Sequence, residues 1–287
     1  MLKSNSPWRK SFGRQTENGV GSRFLHREEH GKTTPDPGNG LPPGRSDFHA
    51  GLLTHESACA GHHERSGDGA RSHAERLPAE IVSIAAASQL ALSDIDLYAV
   101  ASGPGSFTGL RIGIATIQGL AFVHGRRVVA IPALEALAQM ASLDLATGTL
   151  VTSWMDAHRH DVFSAVYRVA AAAPFTSARL IMVEEPAVGD PASTLTRSAA
   201  RFGRIPGVFI GDGAVMYAAR ILDADPIARI VPPPLIAGAL GRLAIARHAD
   251  AIEPSAVRPL YVRRPDAEVA RDEKRRASSA GTGDGRS

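Results

Sequence analysis

The stretch Gly103-Pro104-Gly105-Ser106-Phe107-Thr108-Gly109-Leu110-Arg111-Ile112-Gly113 constrains the fold more than any other part of the chain. Before it runs Leu97-Tyr98-Ala99-Val100-Ala101, an apolar segment with the length and composition of a buried strand. After it comes Leu110 to Val123, whose apolar residues surround most of a helix and so predict burial on more than one side. A strand that turns through glycines into a helix is the first half of a βα unit. Gly103, Gly105 and Gly109 admit positive φ or a close backbone approach, and the free amides of the helix start can face an anion. As a phosphate loop the stretch is poor. Its glycines miss the G-x-G-x-x-G spacing by one, and the Lys-Ser/Thr pair of a P-loop is absent. An anion site and a purely structural turn both stand as readings.

The βα character extends to both sides. Ser72-His73-Ala74-Glu75 has the form of a capping box, and Leu77, Ile81, Ile84 and Ala85 follow at helical spacing, with Pro78 near the first turn. Arg127 to Ile131 predicts a strand and Ala133 to Ala141 a helix, which completes an α/β lobe over residues 69–147. A second lobe is expected over 148–264. There Leu150 to Met155 and Val162 to Tyr167 predict strands joined by the hairpin Asp156 to Asp161. Val208 to Ile210 runs into Gly211-Asp212-Gly213 and a predicted helix Ala214 to Leu222, and Pro232-Pro233-Pro234 precedes a last helix, Leu235 to Arg247. Residues 265–287 are charged and Ser/Gly-rich, the composition of a solvated tail. Residues 1–68 are rich in Gly, Pro, Ser, Arg and His and show neither strand alternation nor helical period, so disorder is expected there.

Composition removes several function classes. A length of 287 residues with 44% hydrophobic content supports a real core, and Cys59 alone excludes an intrachain disulfide or a multi-cysteine metal site. A net charge of +3 allows contact with nucleic acid without requiring it. The longest apolar run, Ile112 to Val123, is broken by Gln118 and falls short of the ~20 residues of a membrane span. The N-terminus has no apolar core of a secretory signal, and a cytoplasmic location is expected. Asp156, His158, His160 and Asp161 would read as metal ligands, or as a charged hairpin tip, which is the commoner case. Arg111 would meet an anion or pair with a carboxylate, the basic tail from Arg271 to Arg276 would touch phosphates or only water, and Ser106 has no paired base of a hydrolase.

The glycine stretch is very similar to the signature of the TsaB family, within the actin-like ATPase and sugar-kinase superfamily. Gly103, Pro104, Gly105, Ser106, Phe107, Thr108, Gly109 and Arg111 carry the match. Ser72-His73-Ala74-Glu75-Arg76-Leu77-Pro78 resembles the family's first-helix start, and Trp154-Met155-Asp156-Ala157 with Val162-Phe163 resembles its second-lobe hairpin. Gly211-Asp212-Gly213-Ala214 and Pro259-Leu260-Tyr261-Val262-Arg263-Arg264-Pro265 are similar as well, so the likeness spans about Gly69 to Asp266.

The resemblance implies a two-lobed actin-like, ribonuclease H-like α/β fold and a pseudo-enzyme subunit with no catalytic, cofactor or metal residue of its own. Its catalytic relative TsaD transfers threonylcarbamoyl to the adenosine beside the tRNA anticodon, with a metal on a His-x-x-x-His pair. Here Ala133 and Leu137 stand where those imidazoles would be. The implied partners are TsaD in a heterodimer, the ATPase TsaE, and tRNA indirectly, with a homodimer when alone and ATP or ADP at the complex interface. Interface candidates on the first-lobe helices are Ile81, Ile84, Leu110, Gly113, Ile114 and Ile117.

The chain departs from the family at its start. A member opens with a strand containing Ala-Leu-Asp-Thr and a hairpin. Between Lys32 and Arg65 no five consecutive residues of strand character occur, so the first strands of lobe one are expected to be missing or replaced. True divergence and a shifted reading frame upstream of about Gly67 are the two explanations, and the abrupt change of character favours the second. Two other functions stand beside the assembly subunit. One is an active nucleotide-dependent transferase or kinase of the same fold; the other is a nonfunctional frameshifted product.

Overall fold

The computed structural model describes residues 23–25, 49–54, 62–66 and 73–263. The first three stretches are strands: β1 (Arg23–Leu25), β2 (His49–Thr54) and β3 (His62–Ser66). They pair antiparallel in the order β1-β2-β3, with Leu25 opposite Leu52 and Gly51 opposite Glu64. The expectation that this region lacks strands is therefore corrected. Sequence reading asked for an alternation of apolar residues, whereas a backbone ladder satisfies N–H and C=O groups whatever the side chains are.

Helix α1 (His73–Ala87) buries Leu77, Ile81 and Ile84 together against Ile117 and Leu120. Strand β4 (Leu97–Gly103) follows and lies beside β1. Helix α2 (Phe107–Val123) then crosses over to β5 (Arg127–Pro132), which pairs parallel to β4 with Ala99 opposite Val129. The helix starts earlier than its apolar run predicts, because the Ser106 hydroxyl accepts from the Gly109 amide at 3.4 Å. Helix α3 (Ala133–Ala141) follows β5 directly and has the bounds predicted from sequence.

The second sheet contains β6 (Leu150–Asp156), β7 (Val162–Val169) and β8 (Leu180–Gly189). After helix α4 (Pro191–Phe202) come β9 (Val208–Ile210), α5 (Asp212–Met216), α6 (Ala218–Ala224) and β10 (Arg229–Val231). Its strand order is β10-β9-β6-β7-β8, and the predicted hairpin closes with Asp156 opposite Val162. Both faces are covered. Val151, Ala165 and Tyr167 pack with Leu134, Leu137 and Ala138 of α3, while Trp154, Val162 and Phe209 pack with Leu195, Ala214 and Ile221. Double coverage is why these strands read as apolar runs. The helix predicted from Ala214 to Leu222 is divided at Tyr217.

Strands β8 and β10 and helix α4 escaped the sequence reading, although α4 carries clear signals. Asp190 caps it by accepting from Ala192 and Ser193, Pro191 sits in its first turn, and Gly203 closes it at φ +76°. The last helix, α7 (Ala237–Ala246), is shorter than the predicted Leu235–Arg247 and returns to the first lobe. Leu240 and Leu243 pack with Leu97, Val129 and Ile131, and Arg247 forms a two-pronged ion pair with Glu135 of α3. Val257 then joins Ile95, Tyr98 and Ile114 in the first-lobe core, although the sequence assigned 148–264 to the second lobe. Among the described residues no helix is long and apolar enough to cross a membrane.

Candidate functional site

The glycine loop between β4 and α2 is occupied by the chain's own C-terminal segment. Gly103 has φ +120°, and a Cβ there would lie 2.7 Å from the Leu260 carbonyl oxygen. The Leu260 amide in turn donates to the Ser102 carbonyl at 2.6 Å. Glycine is required here by backbone meeting backbone. The Tyr261 ring lies 5.3 Å from that of Phe107, centre to centre. The Arg111 guanidinium stacks 3.9 Å over Phe107 and donates through Nε to the Tyr261 hydroxyl at 2.9 Å. Of the other signature residues, Pro104 is buried, a Cβ on Gly105 would lie 3.7 Å from the Leu110 side chain, and Thr108 is exposed. Ser106 caps α2, accepting from the Gly109 amide through its hydroxyl and from the Leu110 amide through its carbonyl. Backbone packing against Leu260 places Gly103, and the Ser106 cap sets the start of α2.

The 156–161 hairpin does not bring its four candidate ligands together. Asp156 accepts from the His158 amide at 2.8 Å and meets the His158 ring at 3.2 Å. Asp161 instead pairs with Arg263, which also donates to the Ala157 carbonyl at 2.8 Å. Among the described residues no group of three or more His, Cys, Asp or Glu side chains is placed to hold a metal ion. His158, Arg159 and His160 all have positive φ, so the tip is a left-handed turn.

Beside the hairpin, Gly211 has φ +122°, and a Cβ there would lie 2.0 Å from the Trp154 carbonyl oxygen. The Asp212 carboxylate accepts from the amides of Asp156 at 3.1 Å and Gly213 at 2.9 Å. Burial pushes its carboxyl above the ordinary range, and the Asp156 charge adds to the rise. At the start of α3, Ala133 and Leu137 are both buried. Neither side chain carries an atom able to ligate a metal.

The interface candidates divide in two. Ile81 and Ile84 are 3% exposed, inside the seam between α1 and α2, and Ile114 is buried against Ile95, Tyr98 and Val128. These three are occupied by the chain itself, which corrects their assignment to an outer face. Leu110, Gly113 and Ile117 are half-buried. The outer faces carry residues that were not interface candidates: Val82 on α1, and Ala115, Gly119, Phe122 and Val123 on α2. Phe122 is 78% and Val123 76% exposed. A Cβ at Gly113 or Gly119 would meet nothing within 4 Å. Arg111 is the one charged residue of α2.

Comparisons with known proteins agree with this geometry. The family model described as TsaD, tRNA N6-adenosine threonylcarbamoyltransferase, matches residues 62–189. A crystal structure from Pseudomonas aeruginosa, of an uncharacterized protein with similarity to peptidase YeaZ, aligns with a TM-score of 0.59 at 26% identity, covering 75% of this chain and 94% of that one. The tRNA threonylcarbamoyladenosine biosynthesis protein TsaB of Haemophilus influenzae is 41% identical over 99 residues, 34% of this chain and 42% of that protein. An uncharacterized protein of Mycobacterium bovis is 30% identical over 198 residues, 69% of this chain and 78% of that protein. The chain spans less than half the length of the first curated relatives it matches, 46% of one and 42% of another.

The strand order, the mixed α/β arrangement and these likenesses define an actin-like ATPase-type fold. Within that class the chain belongs to the TsaB (YeaZ) family.

Proposed function

We propose that the chain is a non-catalytic subunit that binds TsaD and supports threonylcarbamoyladenosine modification of tRNA in the cytoplasm. The observation that carries this reading is the uncovered apolar face of α1 and α2. Val82 is exposed on α1 and Phe122 and Val123 on α2, where Ala115 and the open Gly119 share the Phe122 face, and small residues let a partner helix approach closely. Two further points support it. Ala133 and Leu137 leave the metal-pair position of a TsaD-like enzyme without a donor, and the glycine loop is filled by Leu260 and Tyr261. TsaE, an adenine nucleotide at the complex interface and the tRNA then belong to the assembled complex.

The test pairs two substitutions. Phe122→Asp places a charge on the outer face and should abolish co-purification with TsaD while circular dichroism stays that of the wild type. Ile114→Asp buries an unpaired charge at a cost of about 3 kcal/mol or more and should unfold the chain instead. A folded Phe122→Asp chain that still captures TsaD with wild-type affinity would remove this face as the interface. Hydrolysis of ATP or modification of tRNA by the purified chain without TsaD would defeat the pseudo-enzyme reading itself.

A further inference from the structure

The C-terminal segment touches three distant parts of the molecule in quick succession. Gln118 of α2 donates to the Pro254 carbonyl at 2.7 Å, and Val257 is sunk in the first-lobe core. Leu260 and Tyr261 then engage the glycine loop through the Ser102 carbonyl, Gly103, Phe107 and Arg111. Val262 packs against the core that α3 shares with the second sheet. Arg263 ends the run on the Ala157 carbonyl and the Asp161 carboxylate of the hairpin.

We propose that Leu260–Arg263 is a clasp coupling the glycine loop of the first lobe to the 156–161 hairpin of the second, so that neither loosens without the other. The geometry leaves little slack. Only Val262 separates the Tyr261 anchor from the Arg263 anchor, and two extended residues span about 7 Å at most. Movement of the hairpin therefore pulls on Tyr261, and with it on the stacked Phe107 and Arg111. Both ends are specific. Arg263 holds a carbonyl and a carboxylate at once, which its planar fork permits and a lysine ammonium would not reproduce. Tyr261 offers a ring face to Phe107 and its hydroxyl oxygen to the Arg111 Nε–H. The clasp also reaches the first turn of α2, because Tyr261 sets where the Arg111 guanidinium sits. This inference concerns the chain alone and holds whether or not α1 and α2 bind TsaD.

Hydrogen–deuterium exchange of the full chain, read by mass spectrometry, tests it from both ends. Arg263→Ala removes only second-lobe contacts. Exchange should nevertheless rise about tenfold in the peptide covering 103–110 as well as in the one covering 157–161. Phe107→Ala removes only first-lobe contacts and should raise exchange in the hairpin peptide by a similar factor. The proposal is overturned if each substitution loosens only the lobe that lost its contact. It is equally overturned if exchange rises uniformly along the chain, since the segment would then hold the fold as a whole.

Discussion

Two turns in this molecule share one backbone feature and have different supports. Both run from a strand through a glycine of extreme φ into a helix, at Gly103 with +120° and at Gly211 with +122°. Gly211 is pressed against the Trp154 carbonyl of β6, a strand paired on both sides within its sheet. Gly103 is pressed against the Leu260 carbonyl, which belongs to a late segment rather than to the sheet beside it. One glycine is locked by a ladder and the other by a strap. In each turn a close backbone approach by itself requires the glycine.

The largest effect is expected from Gly211→Ala. Its Cβ would overlap a carbonyl that β7 and β9 hold in place, in a backbone region almost reserved for glycine, so a loss of about 3 kcal/mol or more is expected. Thermal unfolding or the yield of soluble protein reports it. Gly103→Ala should cost less, about 1–3 kcal/mol, because the Leu260 carbonyl can retreat with its segment. Urea denaturation measures both. Equal losses at the two sites would show that the strap is as unyielding as the sheet, and the contrast would fall.

The smallest effect separates the turns by pH. The second-lobe turn carries Asp212, whereas Pro104, Gly105 and Ser106 give the first no titrating side chain. Burial, with Asp156 adding, raises the Asp212 carboxyl, so the folded chain binds this proton more tightly than the unfolded one. Stability contributed through Asp212 is therefore greatest below the ordinary carboxylate range and declines as pH rises through the raised value, then stays level. Asp212→Asn keeps an oxygen to accept from Asp156 and Gly213 without the charge. Its advantage over the wild type should be present near neutral pH and fade in acid, down to about pH 4. A stability difference that is flat with pH would mean that the Asp212 charge costs nothing in this turn.

Local chemistry was enough to read the elements near the site. Apolar runs placed β4, β5, β6 and β7, the Gly-rich turn placed α2 after β4 but not its first residue, and the bounds of α3 came out directly. These features rest on neighbours in sequence: caps, glycines, and the period of apolar residues. The capping signals of α4 were equally local, and Asp190, Pro191 and Gly203 would have revealed it.

What the sequence determined by itself was which surfaces are apolar and where the chain turns. Which apolar surface meets which was decided only in the tertiary structure. Ile81, Ile84 and Ile114 have the same helical spacing as an interface stripe, yet α1, α2 and the first sheet cover them, and Val82, Phe122 and Val123 remain outside. The strands β1, β2 and β3 carry no apolar alternation to announce them, since their ladder is made by the backbone. Helix α7 joins the first lobe, and Leu260 reaches Gly103, through contacts between residues far apart in the chain. Periodicity is a property of one segment, whereas coverage belongs to a pair of segments, and only folding selects the pair.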